Sequence, residues 1–273
     1  MVASSAVAVH GIFQHRSDRA TMQAAWSTAL AAGLLEAGLG DVSLSLECAF
    51  YGDLYAGVGA KSADAGPVRL SMLTPFEQEL LRELAADPRG PDDEEAAKAW
   101  GLRHLQAVLA RAQERRVFDG VAADILTFVR QVGLYFSEPD LRAAVHAEMS
   151  RAMETRPRVV LAHSLGSVVA YEWLRDRPLE DLPVLVTMGS PLGLRAIRAR
   201  VGAEGRLPFP QGARAWSNVA DENDLVALVK HLADVVDGPV TDRLCRHAVL
   251  RSHAAVAYLA DPTTAALVGA CLD

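Results

Sequence analysis

Two kinds of apolar pattern alternate along the chain. Short valine-rich runs bounded by glycine, proline or polar turns predict buried strands at Ala3 to His10, Val42 to Phe50, Val159 to Ala162, Val184 to Met188 and Ala213 to Val219. Val240 to Leu250 holds a last short one. Between them, apolar residues recur every three or four positions, as one face of a helix requires. Met22, Trp26, Leu30 and Leu34 form such a stripe behind Asp18, a residue suited to capping a helix start. Gly38-Leu39-Gly40 ends that helix. Leu141, Val145, Met149 and Ala152 form another behind Ser137-Glu138-Pro139-Asp140. A helix follows Ser164, a short one spans Arg195 to Val201, and a last one runs from His253 through Ala260. Leu225 to Val236 reads as helical or irregular. Strands alternating with helices predict an α/β fold: a mainly parallel sheet of about six strands flanked by helices.

Residues 52–137 break this rhythm. Tyr51 to about Pro75 is loop-rich, with Gly66-Pro67 inside it. Three helical patterns follow. Pro75 to Ala86 is the first. The acidic start Pro91 to Glu95 opens the second, with Leu105, Val108, Leu109 and Ala112 on one face. The third begins at Asp119, with Val121, Ile125, Phe128, Val129 and Val132. The chain reads as one domain, 1–273, carrying a mostly helical insertion at 52–137. The insertion can pad the core, form a cap over a site, or do both.

Composition narrows the partners. The net charge is −7, against the basic face that nucleic-acid binding wants. Only Lys61, Lys98 and Lys230 among the 27 basic residues are lysines, which reflects coding bias rather than function. Cys48, Cys245 and Cys271 lack metal-type spacing and read as buried thiols of a reducing compartment. The N-terminus has no basic region followed by a long apolar run, and no stretch is apolar enough to span a bilayer. A soluble, cytoplasmic protein is expected. No phosphate loop, no G-x-G-x-x-G after the first strand and no H-E-x-x-H appears, so no cofactor and no metal are expected.

The chemistry gathers at the carboxyl ends of the strands. Val159 to Ala162 turns through His163-Ser164-Leu165-Gly166 into a helix. A serine on such a turn is the G-x-S-x-G nucleophile elbow, with Ala162 in place of the first glycine. The other loops on that rim hold His10 to Phe13, Asp221 to Asp224 and His253. Acyl transfer by serine needs a hydroxyl, an imidazole, a carboxylate and backbone N–H donors, and the order Ser, Asp, His suits an α/β-hydrolase.

On the residues VHGIF (9–13), LAHSLGSVVAYE (161–172), VTMGSPLGL (186–194), WSNVADENDLVAL (216–228) and SHAAVAYL (252–259), the sequence resembles the serine α/β-hydrolases, lipase- and esterase-like. The resemblance leaves 52–137 unmatched, and the early place of that insertion departs from the family. It implies an α/β-hydrolase fold with Ser164 as nucleophile and the N–H groups of Leu165 and Ile12 as oxyanion donors, Phe13 being the alternative to Ile12. It implies Asp224 as the acid, because Asn223-Asp224-Leu225-Val226 fits the family's context; Asp221 is the rival. It implies His253 as the base, with His247 and His231 as rivals. Phe13, Tyr51 and Ser190 are pocket candidates. His163 and His10 are read as supports of the turn and of the oxyanion loop. The expected activity is hydrolysis of a carboxylic ester of a small or lipid-like acyl substrate. The alternatives are a thioesterase, acyltransferase or peptidase using the same groups, or a non-catalytic binding module.

Overall fold

Alternate residues of the central strands serve two different apolar layers. In the computed structural model, Val7 and Val9 of β1 (Ser4–Val9) join one buried cluster, while Ala6 and Ala8 join the other. Val160 and Ala162 of β3 (Val159–His163) divide from Val159 and Leu161 in the same way. This is the two-residue period of a strand buried on both faces, and it explains why these runs are apolar without polar alternation. The structure describes residues 4–12, 17–40, 42, 44–55, 73–85, 118–248 and 251–272.

The main sheet has six strands in the order β2-β1-β3-β4-β6-β8, all parallel. The others are β2 (Leu44–Ala49), β4 (Val184–Met188), β6 (Ala215–Asp221) and β8 (Val240–Cys245). A two-stranded parallel pair, β5 (Leu207–Pro208) and β7 (Val236–Asp237), lies apart from it. Parallel strands need crossovers, and the helices supply them. Helix α1 (Arg19–Glu36) covers one face with Met22, Trp26, Leu30 and Leu34, beside two C-terminal helices, α7 (Ala255–Ala260) and α8 (Pro262–Gly269). Asp18 caps α1, accepting the N–H of Thr21 at 2.8 Å. The opposite face is covered by α3 (Phe118–Ser137), α4 (Pro139–Met153), α5 (Leu165–Arg175) and α6 (Arg195–Val201).

Several boundaries differ from the pattern-based expectation. Ser137 closes α3 instead of capping α4; Glu138 stands at that cap without a side-chain hydrogen bond, and Pro139 opens the helix. Strand β6 begins two residues later and runs on to Asp221, because its partner Cys245 extends the ladder that far. From 225 to 235 only a 3-10 turn forms, at Leu232–Asp234, and Val236 opens β7. Helix α8 was not anticipated, although Asp261-Pro262 is a ready start: Asp261 accepts the N–H of Thr263 at 2.8 Å.

Of residues 52–137, the helix expected from 91 lies outside the described residues. Helix α2 (Pro75–Leu84) carries a reciprocal capping box between Thr74 and Glu77. It packs on α3, and Phe76, Leu80, Phe128, Val129 and Val132 enter the same cluster as Val7, Val9 and Val160. Glu83 accepts the N–H groups of Arg195 at 2.6 Å and Ala196 at 3.1 Å, tying α2 to the start of α6. The described part of the insertion therefore shares the core. Among the described residues, no helix is long and apolar enough to cross a membrane.

Candidate active site

Strands β1, β3, β4 and β6 are consecutive neighbours and all parallel, so the segments leaving their carboxyl ends meet on one rim. Those segments are His10-Gly11-Ile12, Ser164, Gly189-Ser190 and Asp221 to Asp224. His253 reaches the same rim from the segment between β8 and α7.

Ser164 has φ 54° and ψ −128°, a conformation that a residue with a Cβ adopts only under constraint. The constraints are visible. Its N–H donates to the carbonyl of Met188 at 3.0 Å, and its carbonyl accepts from the N–H of Ser167 at 2.9 Å and from Ser167 Oγ at 2.6 Å. Ser167 Oγ pairs in turn with Ser190 Oγ at 2.7 Å, and Ser190 Oγ accepts the N–H of Leu192. The hydroxyl of Ser190, a pocket candidate from the sequence, is thus committed beneath the turn. The Ser164 side chain makes no cap bond to its own helix. It is left to face His253, whose Nε2 lies 2.9 Å from Ser164 Oγ.

His253 Nδ1 lies 2.8 Å from Asp224 Oδ2. A carboxylate at Nδ1 makes that nitrogen the donor, which turns the lone pair of Nε2 toward the serine. Asp224 is fully buried, and burial alone pushes its carboxyl up. The neighbouring His253 and bonds from His253, Tyr258 and the N–H of Val226 overcome this and hold it down to about 2. Lys230 Nζ caps the loop by donating to the carbonyls of Asp221 and Asp224, each at 2.7 Å. At Gly189, φ is +55° and an added Cβ would stand 2.8 Å from Asp224 Oδ2 and 3.2 Å from His253 Nδ1; only glycine lets β4 end so close to this pair.

Asp221 and His247, the rivals, are engaged elsewhere. Asp221 Oδ1 accepts the N–H of Asn223 at 2.7 Å, and Oδ2 accepts the N–H of His247. The His247 ring lies with Nδ1 3.0 Å from Asp221 Oδ2 and Nε2 3.3 Å from Asp261 Oδ2. His231 precedes the 3-10 turn on the far side of Lys230 and makes no bond to the site among the described residues.

His10 shapes the loop after β1, where an oxyanion donor is expected. Its Nε2 accepts the N–H of Tyr51 at 3.0 Å, and its Nδ1 lies 2.7 Å from the Gly11 carbonyl, so the ring is neutral with its proton on Nδ1. Tyr51 Oη, buried, donates back to the His10 carbonyl. Tyr51 therefore supports the loop with its phenol. Gly11 is pressed against the serine: a Cβ there would come within 2.6 Å of Ser164 Cβ. Ile12 follows on the same turn, and Leu165 opens α5, where helix N–H groups lack intrahelical acceptors. Phe13 lies outside the described residues.

His163 stands buried beside the serine, edge-on to Trp26 and 4.8 Å from the His253 ring. Burial, reinforced by neighbouring His253, lowers it to about 3. Burial likewise lowers His10 and His146 to about 4 each. The three stay neutral in the fold through a range where the unfolded chain, titrating near 6.5, takes up protons. Stability is then complete above about pH 6.5 and is lost as pH falls below it. The slope for one such histidine is about 1.4 kcal/mol per pH unit. Below 3.8, Asp224 adds to the loss as pH falls toward 2. Denaturant unfolding between pH 7 and 4.5 is expected to show a falling free energy; a flat profile would contradict three rings held neutral.

An Asp221 carboxylate oxygen, Cys245 Sγ and a His247 ring nitrogen lie within 4.8 Å of one another and are the one group among the described residues with the makings of a metal site. Register explains part of it: Asp221 pairs with Cys245, and His247, two residues on, is held to Asp221 by its backbone N–H. Yet both Asp221 oxygens already accept backbone N–H groups, and burial and nearby carboxylates push the Cys245 thiol up, away from the thiolate a metal needs. These residues hold the segment leading to His253.

No family model matches the chain, and neither a curated protein nor a solved structure matches it significantly.

Proposed function

We propose that this chain is a serine hydrolase with an α/β-hydrolase fold, cleaving a carboxylic ester through an acyl-enzyme on Ser164. One observation carries the reading: Ser164 Oγ, His253 and Asp224 stand in an unbroken line of 2.9 and 2.8 Å, with the serine on a strained strand-to-helix turn. Strain at a turn held by several bonds is what a poised nucleophile requires.

In the proposed reaction, Ser164 Oγ attacks the acyl carbonyl as His253 Nε2 takes its proton. Asp224 stabilises the imidazolium. The N–H groups of Leu165 and Ile12 take the developing oxyanion, a contribution of roughly a hundredfold to a thousandfold for one donor. The tetrahedral centre collapses as the alcohol leaves with the proton from Nε2. Water then attacks the acyl-enzyme, gives its proton to Nε2, and the acid and free serine are restored. The insertion would bound the acyl pocket, since α2 and α3 share a cluster with Ile12 and Leu165.

A fluorophosphonate probe tests this. Wild type is expected to be labelled on Ser164, and Ser164→Ala is expected to give only background. Wild type that stays unlabelled, or labelling that survives Ser164→Ala, would remove the basis for the reading. A panel of acyl chains on oxygen and thiol leaving groups then ranks ester against thioester.

A further inference from the structure

Asp224 Oδ2 has a second donor besides His253. Tyr258 Oη lies 2.7 Å from it. The same phenol oxygen accepts the N–H of Asp221 at 2.8 Å. With a donor already pointing at its lone pair, the phenol has one direction left for its proton, toward Asp224. The side chain is wholly buried, on the first turns of α7 and five residues beyond His253. The His247 ring meets it edge-on at 5.1 Å and the His163 ring at 5.8 Å. Lys230 Nζ sits on the carbonyls of Asp221 and Asp224. Burial, and then the Asp224 charge, push the phenol well above its ordinary value, so it stays a donor throughout the working range.

We propose that Tyr258 is a positioning residue of the proposed reaction: held by the Asp221 N–H, its hydroxyl fixes Asp224 Oδ2 in the line of His253 Nδ1 and shares that oxygen's charge. The role rests on the hydrolase reading of Ser164, His253 and Asp224. It also gives Asp221 a task. That residue supplies the N–H that orients the phenol, and its carboxylate holds the chain at His247 on the way to His253.

Two donors on one carboxylate oxygen divide its charge. Removing the phenol proton leaves more negative charge facing His253 Nδ1, and frees the carboxylate to rotate. Tyr258→Phe keeps the ring and its packing. Its phosphonylation rate at Ser164 is expected to fall about tenfold to a hundredfold, the range for a hydrogen bond to a charged group. The acid-side midpoint of the rate-against-pH profile is expected to move to higher pH. The low-field imidazole N–H proton shared with Asp224 is expected to move further downfield. Exchange of the tyrosines for a fluorinated, more acidic tyrosine gives the opposite displacement without any substitution, and so reads the same bond if Tyr258→Phe folds poorly. A purely structural tyrosine predicts a lower Tm with the pH midpoint and the low-field proton unmoved; that result overturns the role while wild-type labelling keeps the hydrolase reading. Wild type that the probe leaves unlabelled overturns both.

Discussion

His253→Ala is expected to slow phosphonylation of Ser164 by about a thousandfold or more, while His247→Ala leaves it within a few-fold of wild type. The asymmetry follows from what each ring touches. His253 Nε2 is the group within 2.9 Å of Ser164 Oγ, and without it the serine must lose its proton to water. The His247 ring lies between the carboxylates of Asp221 and Asp261, at 3.0 and 3.3 Å, and its backbone N–H holds Asp221. Its loss touches packing and stability first, since the ring fills the space beside Asp221 and meets Tyr258 edge-on at 5.1 Å. Measuring the second-order labelling rate and Tm for both variants separates the cases. Abolished labelling in His247→Ala with a native Tm, beside normal labelling in His253→Ala, would transfer the base to His247. Asp224→Asn is expected to follow His253→Ala closely, because the proposed acid and base would work through one bond, so their losses would not add.

Much of this arrangement is legible in the chain, and the reason is local. A valine-rich run ending in His-Ser-Leu-Gly reads as a strand that turns abruptly into a helix, and the strand period and helix stripe on either side are properties of neighbours in sequence. The parallel sheet is legible because helices intervene between strands. The sorting of Asp224 from Asp221 rests on finer ground. β6 runs to Asp221, which puts that residue inside the ladder opposite Cys245, where its carboxylate is absorbed by the N–H groups of Asn223 and His247. Three residues later the chain has turned, and Asp224 reaches His253. Only the strand's end point decides this, and end points depend on which partner continues the ladder. Tyr258 and Ser167 are the residues sequence reasoning passed over. Each looks like an ordinary apolar-face or helix residue, and each finds its hydrogen-bond partners far along the chain: Tyr258 in Asp221 and Asp224, Ser167 in Ser190. No spacing rule signals such bonds. Tyr51 and Ser190 show the converse, polar groups on the right rim whose hydroxyls are used inward, on His10 and Ser167.

Gly166→Ala is expected to be the most damaging single methyl group in the described structure around the turn. A Cβ at 166 would stand 2.3 Å from the Val9 carbonyl oxygen, 2.5 Å from that of His10 and 2.7 Å from Val9 C. All three are backbone atoms of the segment leaving β1, which is fixed by its ladders to β2 and β3 and by the His10–Tyr51 bonds. No side chain can swing aside. Ordinary contact would need α5 to withdraw from β1 by about 1 Å, and close-packed interiors resist this at about 3 kcal/mol. For a domain of this size that corresponds to a Tm lower by about 6–12 °C. Gly38→Ala is the control: its φ of +77° carries strain, but nothing lies within 4 Å of the added Cβ. Its cost is about 1–2 kcal/mol, with labelling unchanged. In Gly166→Ala the displacement also parts the N–H of Leu165 from that of Ile12, since one rides on α5 and the other on the β1 segment. Labelling should therefore fall further than the folded fraction does. Scanning calorimetry alongside the labelling rate checks both halves. If Gly166→Ala is no less stable than Gly38→Ala, α5 is not seated on the β1 carbonyls. If its labelling tracks only its folded fraction, the two N–H groups do not act together on the substrate.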